Sequence, residues 1–583
     1  MNQIRSFLIV AWLALAFLLW QAWHVDHAVP VLTPAATAPG ASADGSVPTI
    51  PTTPAANPTA SATPGIPVAP SVPGTAPAIP TTAAVSTSNP PITLSNDVLR
   101  LQIDPRGASI VDAELLTYGQ TGERHSPPVK LLDTDPTHFF VAQSGVVSNT
   151  GAAPSHEALY TPELALLAAS NDGKSGYALA RGVNTIELPM VWTDASGISV
   201  RKTWILTRGS YVITQKEEIR NGSGSAWTGY DYRQLERVPP IMAKGGGLTN
   251  PESYSFVGAA WYSPQDKFEQ RKFGDYDEAL DKVVTGGWIA MLQHYFMAAW
   301  IPPATDASRY SITTANASGV VHYIVRELGP PLQVAPNASI ATSARLYVGP
   351  KLQEKLPAVA EGLGLTVAYG WFTVIAGPLY WLLSKLHWLL GNWGWAIVAL
   401  VVLLKITFYK LSEAQYKNMA RMRALQPRLE ALKERFGDDK QQYQMAMLDL
   451  YKKEKVNPAG GCLPMLIPIP IFIALYRVLL ESVELRHAPW IGWIHSLTDR
   501  DPYFILPALN MLVMIASQRL SPMPGVDPMQ KRMMQIMPLA FGVMFAFFPA
   551  GLVLYWVVNG ALGLLQQWWL LRQHGGAVRP AKA

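Results

Sequence analysis

The sequence predicts an α-helical polytopic membrane protein with six transmembrane helices, a five-helix core and a large all-β domain outside the membrane. Three observations predict this class. Hydrophobic residues occupy 49% of the 583 positions, whereas 15% are charged and 19 are tryptophan, a composition typical of membrane proteins. Long apolar runs recur after residue 392, as expected of spanning helices. Between residues 92 and 350, apolar and polar residues alternate, as in half-buried strands.

The first element, residues 1–27, is predicted to be an N-terminal transmembrane anchor. Phe7–Trp23 is apolar and follows Arg5, which also fits a signal peptide. The end of the run offers no clean small-x-small cleavage site, and this favours an uncleaved anchor with a cytoplasmic N-terminus. Residues 28–91 are rich in Pro, Ala, Thr and Ser and lack aliphatic periodicity. They are therefore predicted to form a flexible linker.

Residues 92–350 are predicted to form the β domain. Leu99, Leu101 and Ile103 alternate with Arg100 and Gln102, which is the period of a strand with one buried face. Turn signals such as Asn221-Gly222 separate further strand-like stretches. These stretches are Thr185–Thr193, Lys202–Thr207 and Tyr211–Ile219. A large antiparallel sandwich is the class that this pattern favours.

Residues 351–392 are predicted to contain an amphipathic helix that lies in the membrane–water interface on the same side of the membrane as the β domain. Within 366–390, Trp381 and Trp388 are interleaved with Pro378 and Lys385. Tryptophan is enriched at membrane–water interfaces, and a charged, irregular apolar helix fits there better than in the hydrocarbon layer.

The core, residues 393–575, is predicted to hold five spans, followed by a basic cytoplasmic tail at 576–583. The spans are Trp393–Leu411, Gly461–Leu480, Pro502–Ser517, Met534–Phe548 and Gly551–Leu571. The loop from Lys410 to Lys455 carries eleven Lys or Arg against seven Asp or Glu. Because basic loops stay in the cytoplasm, both termini are predicted inside and the β domain outside. Counting 366–390 as a span would break this parity.

The basic loop is predicted to be a cytoplasmic helical hairpin at residues 412–456. Apolar residues recur there every three or four positions, and Gly437-Asp438-Asp439 interrupts the pattern. Methionine side chains are flexible and suit surfaces that accept many apolar partners. The candidate contact residues of the hairpin are Met419, Met422, Met445 and Met447.

Lys405 is the most informative single residue. It lies inside the apolar run Trp395–Phe408, about 18 Å along a helix from Trp393 and so near mid-membrane. A cation there costs roughly 3 kcal/mol on insertion scales and is a functional candidate. Lysine can also snorkel to an interface, which is the alternative. The polar residues Thr407, Asn510 and Asn559 could line a hydrophilic groove, although helix–helix hydrogen bonding explains many such residues.

Other classes of function find little support. The single cysteine, Cys462, excludes an intrachain disulfide. The chain shows no phosphate-binding loop and no clustered metal ligands, so no cofactor, no metal and no covalent chemistry are predicted. Proton- or sodium-coupled transport would call for buried acids and internal repeats, and neither is visible in the spans.

Several long motifs resemble the YidC/Oxa/Alb family of membrane protein insertases, in its Gram-negative form with a large periplasmic domain. The motifs are Lys455-Val-Asn-Pro-Ala-Gly-Gly-Cys-Leu-Pro, Pro470-Ile-Phe-Ile-Ala-Leu-Tyr476, Asp501-Pro-Tyr, Phe548-Pro-Ala-Gly-Leu-Val-Leu-Tyr555 and, in the β domain, Gly287-Trp-Ile-Ala-Met-Leu-Gln-His-Tyr-Phe296. The resemblance covers nearly the whole chain except the linker.

The resemblance implies a function and a set of partners. Proteins of this family place newly made proteins into the inner membrane, alone or beside the Sec translocon, through a groove open to cytoplasm and lipid. The partners that the resemblance implies are nascent membrane proteins, the Sec translocon with its SecDF complex, the ribosome and signal-recognition pathway, and the lipid bilayer. It also implies that the periplasmic domain is a supersandwich. No specific nucleic-acid binding is expected.

The resemblance also implies site residues. Lys405 occupies the place where the family usually has arginine, and lysine keeps the charge but cannot form a bidentate fork. The other groove residues implied are Val401, Thr407, Asn510, Tyr555, Trp556 and Asn559. A rival function is sugar modification by the β domain, which would need a histidine base and a carboxylate acid. The candidate histidines are His125, His138, His156, His294 and His322.

Overall fold

The structure is a computed structural model. It describes residues 79, 90–123, 125–164, 176–240, 255–276, 279–317, 319–414, 421, 425–436, 439–454, 468–520 and 528–574. The predicted N-terminal anchor, nearly all of the predicted linker, and the C-terminal tail lie outside the described residues.

Two large antiparallel sheets form the β domain. The strands of the first sheet are β1 (Ile92–Ser95), β2 (Leu99–Asp104), β3 (Ser109–Gly119), β4 (Pro128–Leu132), β5 (Phe140–Ser148), β7 (Tyr177–Ala178), β11 (Trp227–Arg237), β14 (Asp281–Thr285), β17 (Ala307–Ala317) and β18 (Val320–Val334). Their order across the sheet is β14-β17-β18-β11-β5-β3-β2-β1-β7, with β4 paired to β3. Only β1 and β7 pair in parallel in this sheet as described.

The second sheet is built from the remaining strands of the β domain. Its strands are β6 (Thr161–Pro162), β8 (Thr185–Thr193), β9 (Ile198–Thr207), β10 (Val212–Asn221), β12 (Gly258–Ser263), β13 (Lys267–Lys272), β15 (Trp288–Leu292), β16 (Phe296–Ile301) and β19 (Ser339–Pro350). Their order is β13-β12-β15-β16-β19-β10-β9-β8-β6. A β-rich sandwich is therefore present where the alternating pattern predicts one.

The strands form for the reason that their pattern indicates. In β2, Leu99, Leu101 and Ile103 are fully buried, whereas Arg100 between them pairs with Glu114 of β3 at 2.7 Å. Burial of one face against the other layer is the main driving force for such a strand.

The interior of the sandwich also holds charged groups. Lys202 Nζ is fully buried and donates to the carbonyl oxygen of Gly107 at 2.8 Å and to that of Ser144 at 3.0 Å. Arg233 lies between Asp231 (2.6 Å) and Glu327 (2.9 Å). Burial lowers the pKa of Lys202 to about 8, since a charged ammonium loses its hydration there. Each charge is thus tolerated through hydrogen bonds or ion pairs.

The helices follow the sandwich along the chain. They are α1 (Leu356–Val359), α2 (Thr373–Leu390), α3 (Trp393–Thr407), α4 (Gln426–Phe436), α5 (Lys440–Lys453), α6 (Pro468–Glu481), α7 (Ile505–Leu520), α8 (Pro528–Phe545) and α9 (Ala550–His574). In the ranges that the structure describes, no helix combines the length and the hydropathy that mark a membrane span. The six predicted spans therefore stay a prediction.

Helix α2 has one buried face and one exposed apolar face. Ala376, Leu379 and Leu383 are buried, at the three- and four-residue spacing of one helix side. Trp381 and Trp388 are 61% and 82% exposed. Gly391, in the left-handed region at φ 68°, ends the helix, because a residue without Cβ adopts that conformation without strain.

Helices α3, α6, α7, α8 and α9 pack together with alternating direction. A Cβ built on Gly551 would lie 3.4 Å from Ile397, and one on Gly563 would lie 3.5 Å from Lys405, so α3 and α9 run parallel. Helix α7 also runs parallel to α9, because Asp499 just before it accepts a 2.7 Å hydrogen bond from the backbone of Ala550.

Helices α6 and α8 run the other way. The rings of Phe472 and Trp556 are 5.0 Å apart and those of Tyr476 and Phe548 are 6.1 Å apart. Helices α6 and α9 are therefore antiparallel. Helix α8 ends just before α9 begins, and a Cβ on its Gly542 would touch Met511 of α7 at 3.1 Å. The loops after α6 and α8 therefore share one end of the bundle.

That end of the bundle carries the β sandwich. His294 Nε2 lies 2.8 Å from the carbonyl oxygen of Leu480 in α6. Arg486, in the loop after α6, donates to the carbonyl oxygens of Gly119 and Gln120 at 2.7 and 3.1 Å. The opposite end of the bundle carries the C-terminus of α3 and the N-terminus of α8.

Helices α4 and α5 form a hairpin. Asp439 caps α5 by accepting hydrogen bonds from the backbone N–H groups of Gln441 and Gln442. Arg428 and Glu454 tie the open end together at 2.5 Å. The break between the two helices falls at the predicted Gly437-Asp438-Asp439 turn.

Candidate functional site

Lys405 lies in the last turn of α3, on the side that meets α9. Its side chain is half-buried, and Val401, one turn earlier on the same face, is 1% exposed. No carboxylate in the described part of the chain lies within 4 Å of the ammonium. A lysine in the last turn of a helix also faces the negative end of the helix dipole, which favours the charge. The bundle thus holds the Lys405 ammonium at its wall without an acidic partner among the described residues.

One stripe of α9 faces this cation. Trp556, Asn559 and Gly563 follow one another at spacings of three and four residues, so they share a helix face. Each is half-buried. Lys405 Nζ lies over Gly563, where a Cβ would be only 3.5 Å away. Two of the groove residues implied by the family resemblance, Trp556 and Asn559, are therefore on the helix face that meets the cation.

An aromatic cluster closes the end of the bundle nearest the β sandwich. Tyr555 is 3% exposed, and its ring is 6.3 Å from that of Phe472. The Trp556 ring is 5.0 Å from Phe472 and 5.7 Å from Phe545. Lys405 is level with Gly563, eight residues or about 12 Å further along α9. The cluster thus lies on the β-sandwich side of the cation.

Asn510 and Thr407, two further residues of the predicted groove, differ in their exposure. Asn510 is 2% exposed in α7, and its amide lies 3.9 Å from the sulfur of Met514, so it is a polar group inside the bundle. Thr407 is exposed, and its hydroxyl donates to the Leu403 carbonyl oxygen of its own helix at 2.9 Å. The structure does not bring Thr407 together with Lys405, because two residues along a helix turn the side chain to another face.

The four methionines predicted as contact residues of the hairpin also differ in their surroundings. Met419 and Met422 lie outside the described residues. Met445 is 66% exposed on α5, whereas Met447 packs against the small core of the hairpin around Leu425 and Leu429. Of the two described methionines, Met445 is the one available to another molecule.

Phe472, Tyr476 and Phe545 were not predicted as site residues. Phe472 and Tyr476 are four residues apart on α6, a spacing that places them on one face. That spacing was the only available signal, since aromatic residues are common in apolar helices.

No cofactor or metal site emerges in the described ranges. No three His, Cys, Asp or Glu side chains within them come together in a way that could hold a metal ion. Five histidines were candidates for sugar chemistry, and one of them, His322, does meet a carboxylate. Its Nδ1 lies 2.7 Å from Glu236 Oε1, with both side chains nearly buried.

Comparison with known proteins identifies the family. Residues 91–382 match the YidC periplasmic domain, and residues 385–576 match the 60Kd inner membrane protein family. A protein of Xanthomonas campestris pv. campestris named membrane protein insertase YidC is 51% identical, over 99% of this chain and 98% of its own. A protein of the same name from Stenotrophomonas maltophilia is 48% identical over 100% and 98%.

A solved structure described as an active YidC insertase with its first transmembrane domain resolved is also similar. It is 17% identical and is matched over 82% of this chain and 92% of its own, with a TM-score of 0.37. The name shared by the relatives, membrane protein insertase, confirms the prediction of a non-enzymatic role. Because near-complete relatives share about half of its residues, the chain belongs to the YidC family of membrane protein insertases.

Proposed function

We propose that this chain inserts newly synthesised proteins into the inner membrane through a groove whose attracting group is the Lys405 ammonium. One observation carries the proposal. Lys405 is half-buried between α3 and α9, level with Gly563, and lacks a carboxylate partner among the described residues. A charge that no carboxylate of the described ranges neutralises is available to a passing substrate.

The physical problem of insertion explains the use of such a group. A transmembrane segment is stable in lipid, but the polar segment that flanks it must first cross the apolar layer. A cation part-way along that path lowers the barrier for an acidic or strongly polar flank, since charges attract strongly where little water screens them. No bond forms or breaks in this process.

The proposed topology has six spans, both termini in the cytoplasm and the β sandwich in the periplasm. The alternating directions of α3, α6, α7, α8 and α9 support it, because they place the basic segment after α3 at the end opposite the sandwich. Basic loops stay in the cytoplasm. The exposed tryptophans of α2 support a position of that helix in the periplasmic membrane interface.

The hairpin of α4 and α5 is proposed to meet substrates at the cytoplasmic end. Its exposed Met445 suits apolar segments of varied sequence. The Sec translocon with SecDF, the ribosome and the signal-recognition pathway are proposed partners on the strength of the family alone.

Sugar modification by the β domain is a second candidate function, because one pair of residues there has suitable chemistry. The His322–Glu236 pair has the residue types for acid–base chemistry. Both groups are nearly buried, however, and the ring of Phe139 lies 4.7 Å from His322. We favour a structural role for the pair, which would be refuted if the full-length protein interconverted sugar anomers and His322→Gln abolished that activity.

The test of insertion uses purified protein in liposomes and a short single-span substrate with an acidic flank. Wild type and Lys405→Arg should both insert it, because both carry the charge, while Lys405→Ala should fail. Full activity of Lys405→Ala would mean that contact with the apolar helices suffices and that the cation has no part. Folding of each variant is checked by its melting temperature in detergent.

A further inference from the structure

Gly563 differs from Gly551 and Gly560, the two other glycines of α9 that contact neighbouring elements, in what it meets. Gly560, three residues earlier, lets α7 approach closely, because a Cβ there would lie 2.6 Å from Val513 Cγ1. Gly551 likewise meets Leu497 and Ile397, all apolar side chains or backbone. The open side of Gly563 meets a charge instead. Apart from the backbone of α9 itself, the one described atom within 4 Å of a Cβ built there is Lys405 Nζ, at 3.5 Å.

The space over Gly563 lies on the face of α9 that also carries Asn559 and Gln567. These two residues are four positions before and after Gly563, so both lie on its side of the helix. Asn559 is half-buried and Gln567 is 2% exposed. The ammonium of Lys405 therefore lies over the glycine of a helix face that also carries two amide residues.

A larger residue at 563 would occupy this space. One methyl group at 3.5 Å is an ordinary contact, whereas the branched or longer side chains of Val and Leu would extend into the volume of Nζ. Lysine has four flexible methylenes and would turn toward the open end of the bundle. The charge would then be lost from the groove while the backbone of α3 and α9 stayed in place.

We propose that Gly563 is a positioning residue, which keeps the Lys405 ammonium at the α3–α9 wall where a substrate can meet it. The proposal rests on the proposed function, because it gives the position of the charge a role in insertion. In this proposal the position of the charge in the groove is determined by α9 as well as by α3.

The experiment is a double-mutant cycle on the full-length protein in liposomes, with the acidic-flank substrate described above. Gly563→Ala, Gly563→Val and Gly563→Leu are each made in the wild-type and in the Lys405→Ala background. Gly377→Leu is the matched control, because a Cβ at Gly377 of α2 would meet no atom within 4 Å. Melting temperatures report folding, and the Val variant replaces the Leu variant should the latter not fold.

The expected result separates positioning from packing. Gly563→Ala and Gly377→Leu keep the wild-type insertion rate. Gly563→Val and Gly563→Leu fall to the rate of Lys405→Ala with a wild-type melting temperature, and they cause no further loss in the Lys405→Ala background.

Two results would overturn the proposal, and they are distinguishable. With Lys405→Ala inactive, a wild-type insertion rate in Gly563→Val and Gly563→Leu, or a loss that is accompanied by a lowered melting temperature, would leave the cation its role and remove that of Gly563. Full activity of Lys405→Ala would overturn the role of the cation and, with it, the role of Gly563.

Discussion

His294 joins the β sandwich to the helix bundle through the carbonyl oxygen of Leu480, which lies 2.8 Å from its Nε2 atom. The imidazole is 8% exposed and stacks on Tyr295 with ring centroids 3.8 Å apart. Burial, together with the positive charge of Lys351 nearby, lowers the pKa of His294 to about 3. The junction therefore depends on a neutral histidine.

Acidification is expected to weaken this junction. In the unfolded chain His294 takes up a proton near pH 6.5, whereas in the folded chain it does so only near pH 3. The contribution of the neutral ring is complete above pH 6.5 and is lost progressively as the pH falls toward 3. At pH 5 the loss is about 2 kcal/mol, at roughly 1.4 kcal/mol per pH unit.

His294→Gln isolates this effect, because its amide can donate to the Leu480 carbonyl but does not titrate. The unfolding free energy of wild type and variant is compared at pH 7.5 and pH 5 in detergent. Wild type should lose more stability on acidification than the variant. Equal losses would show that His294 is not the group responsible.

The buried charges of the sandwich lead to a second prediction. Arg233→Met removes the partner of Asp231 and Glu327 and leaves two buried carboxylates, which should destabilise the fold by about 3–5 kcal/mol. Arg201→Ala is the control, because its ion pair with Glu163 is about half exposed and should be worth no more than about 1 kcal/mol. Chemical denaturation of the full-length protein measures both, and equal small effects would contradict the prediction.

Arg486 supports a third prediction. Its guanidinium donates to the carbonyl oxygens of Gly119 and Gln120 and lies 5.5 Å from the centre of the Phe296 ring. Arg486→Ala removes a part-buried hydrogen bond to Gly119 and an exposed one to Gln120, and should cost about 1–3 kcal/mol. The expected readout is faster limited proteolysis between sandwich and bundle, with Arg486→Lys intermediate, because an ammonium lacks the planar fork. A proteolysis rate unchanged in Arg486→Ala would rule out this clamp.

The strands show how much of the fold could be predicted. β8 has the bounds Thr185–Thr193 that the alternation predicts, because one of its faces is buried and the other meets water. β11 was not predicted. It is buried on both faces, and its Asp231 and Arg233 have the residue types of a solvent-exposed segment. The ion pair that permits their burial joins Arg233 to Glu327, 94 residues away, so no local pattern could indicate it.

The proposed groove gives a similar picture. The sequence could single out Lys405 as a candidate because a cation in an apolar run is costly wherever it points, and its role stays a prediction. The start of α3 at Trp393 agrees with the predicted span, and its end at Thr407 comes four residues before the predicted Leu411. The closeness of Lys405 to Gly563 could not be predicted. It depends on the parallel packing of α3 and α9, and a glycine carries no side-chain chemistry to mark its role.

The most direct measurement is a charge-reversal experiment on insertion. Wild type and Lys405→Glu are reconstituted in liposomes and offered two single-span substrates that differ only in the flank, one acidic and one basic. If the groove acts through simple electrostatic attraction, wild type should favour the acidic flank, and Lys405→Glu should favour the basic one. The difference should shrink as salt is raised, to the extent that water reaches the groove. The same flank preference in both proteins would contradict a role for the Lys405 charge in selecting substrates.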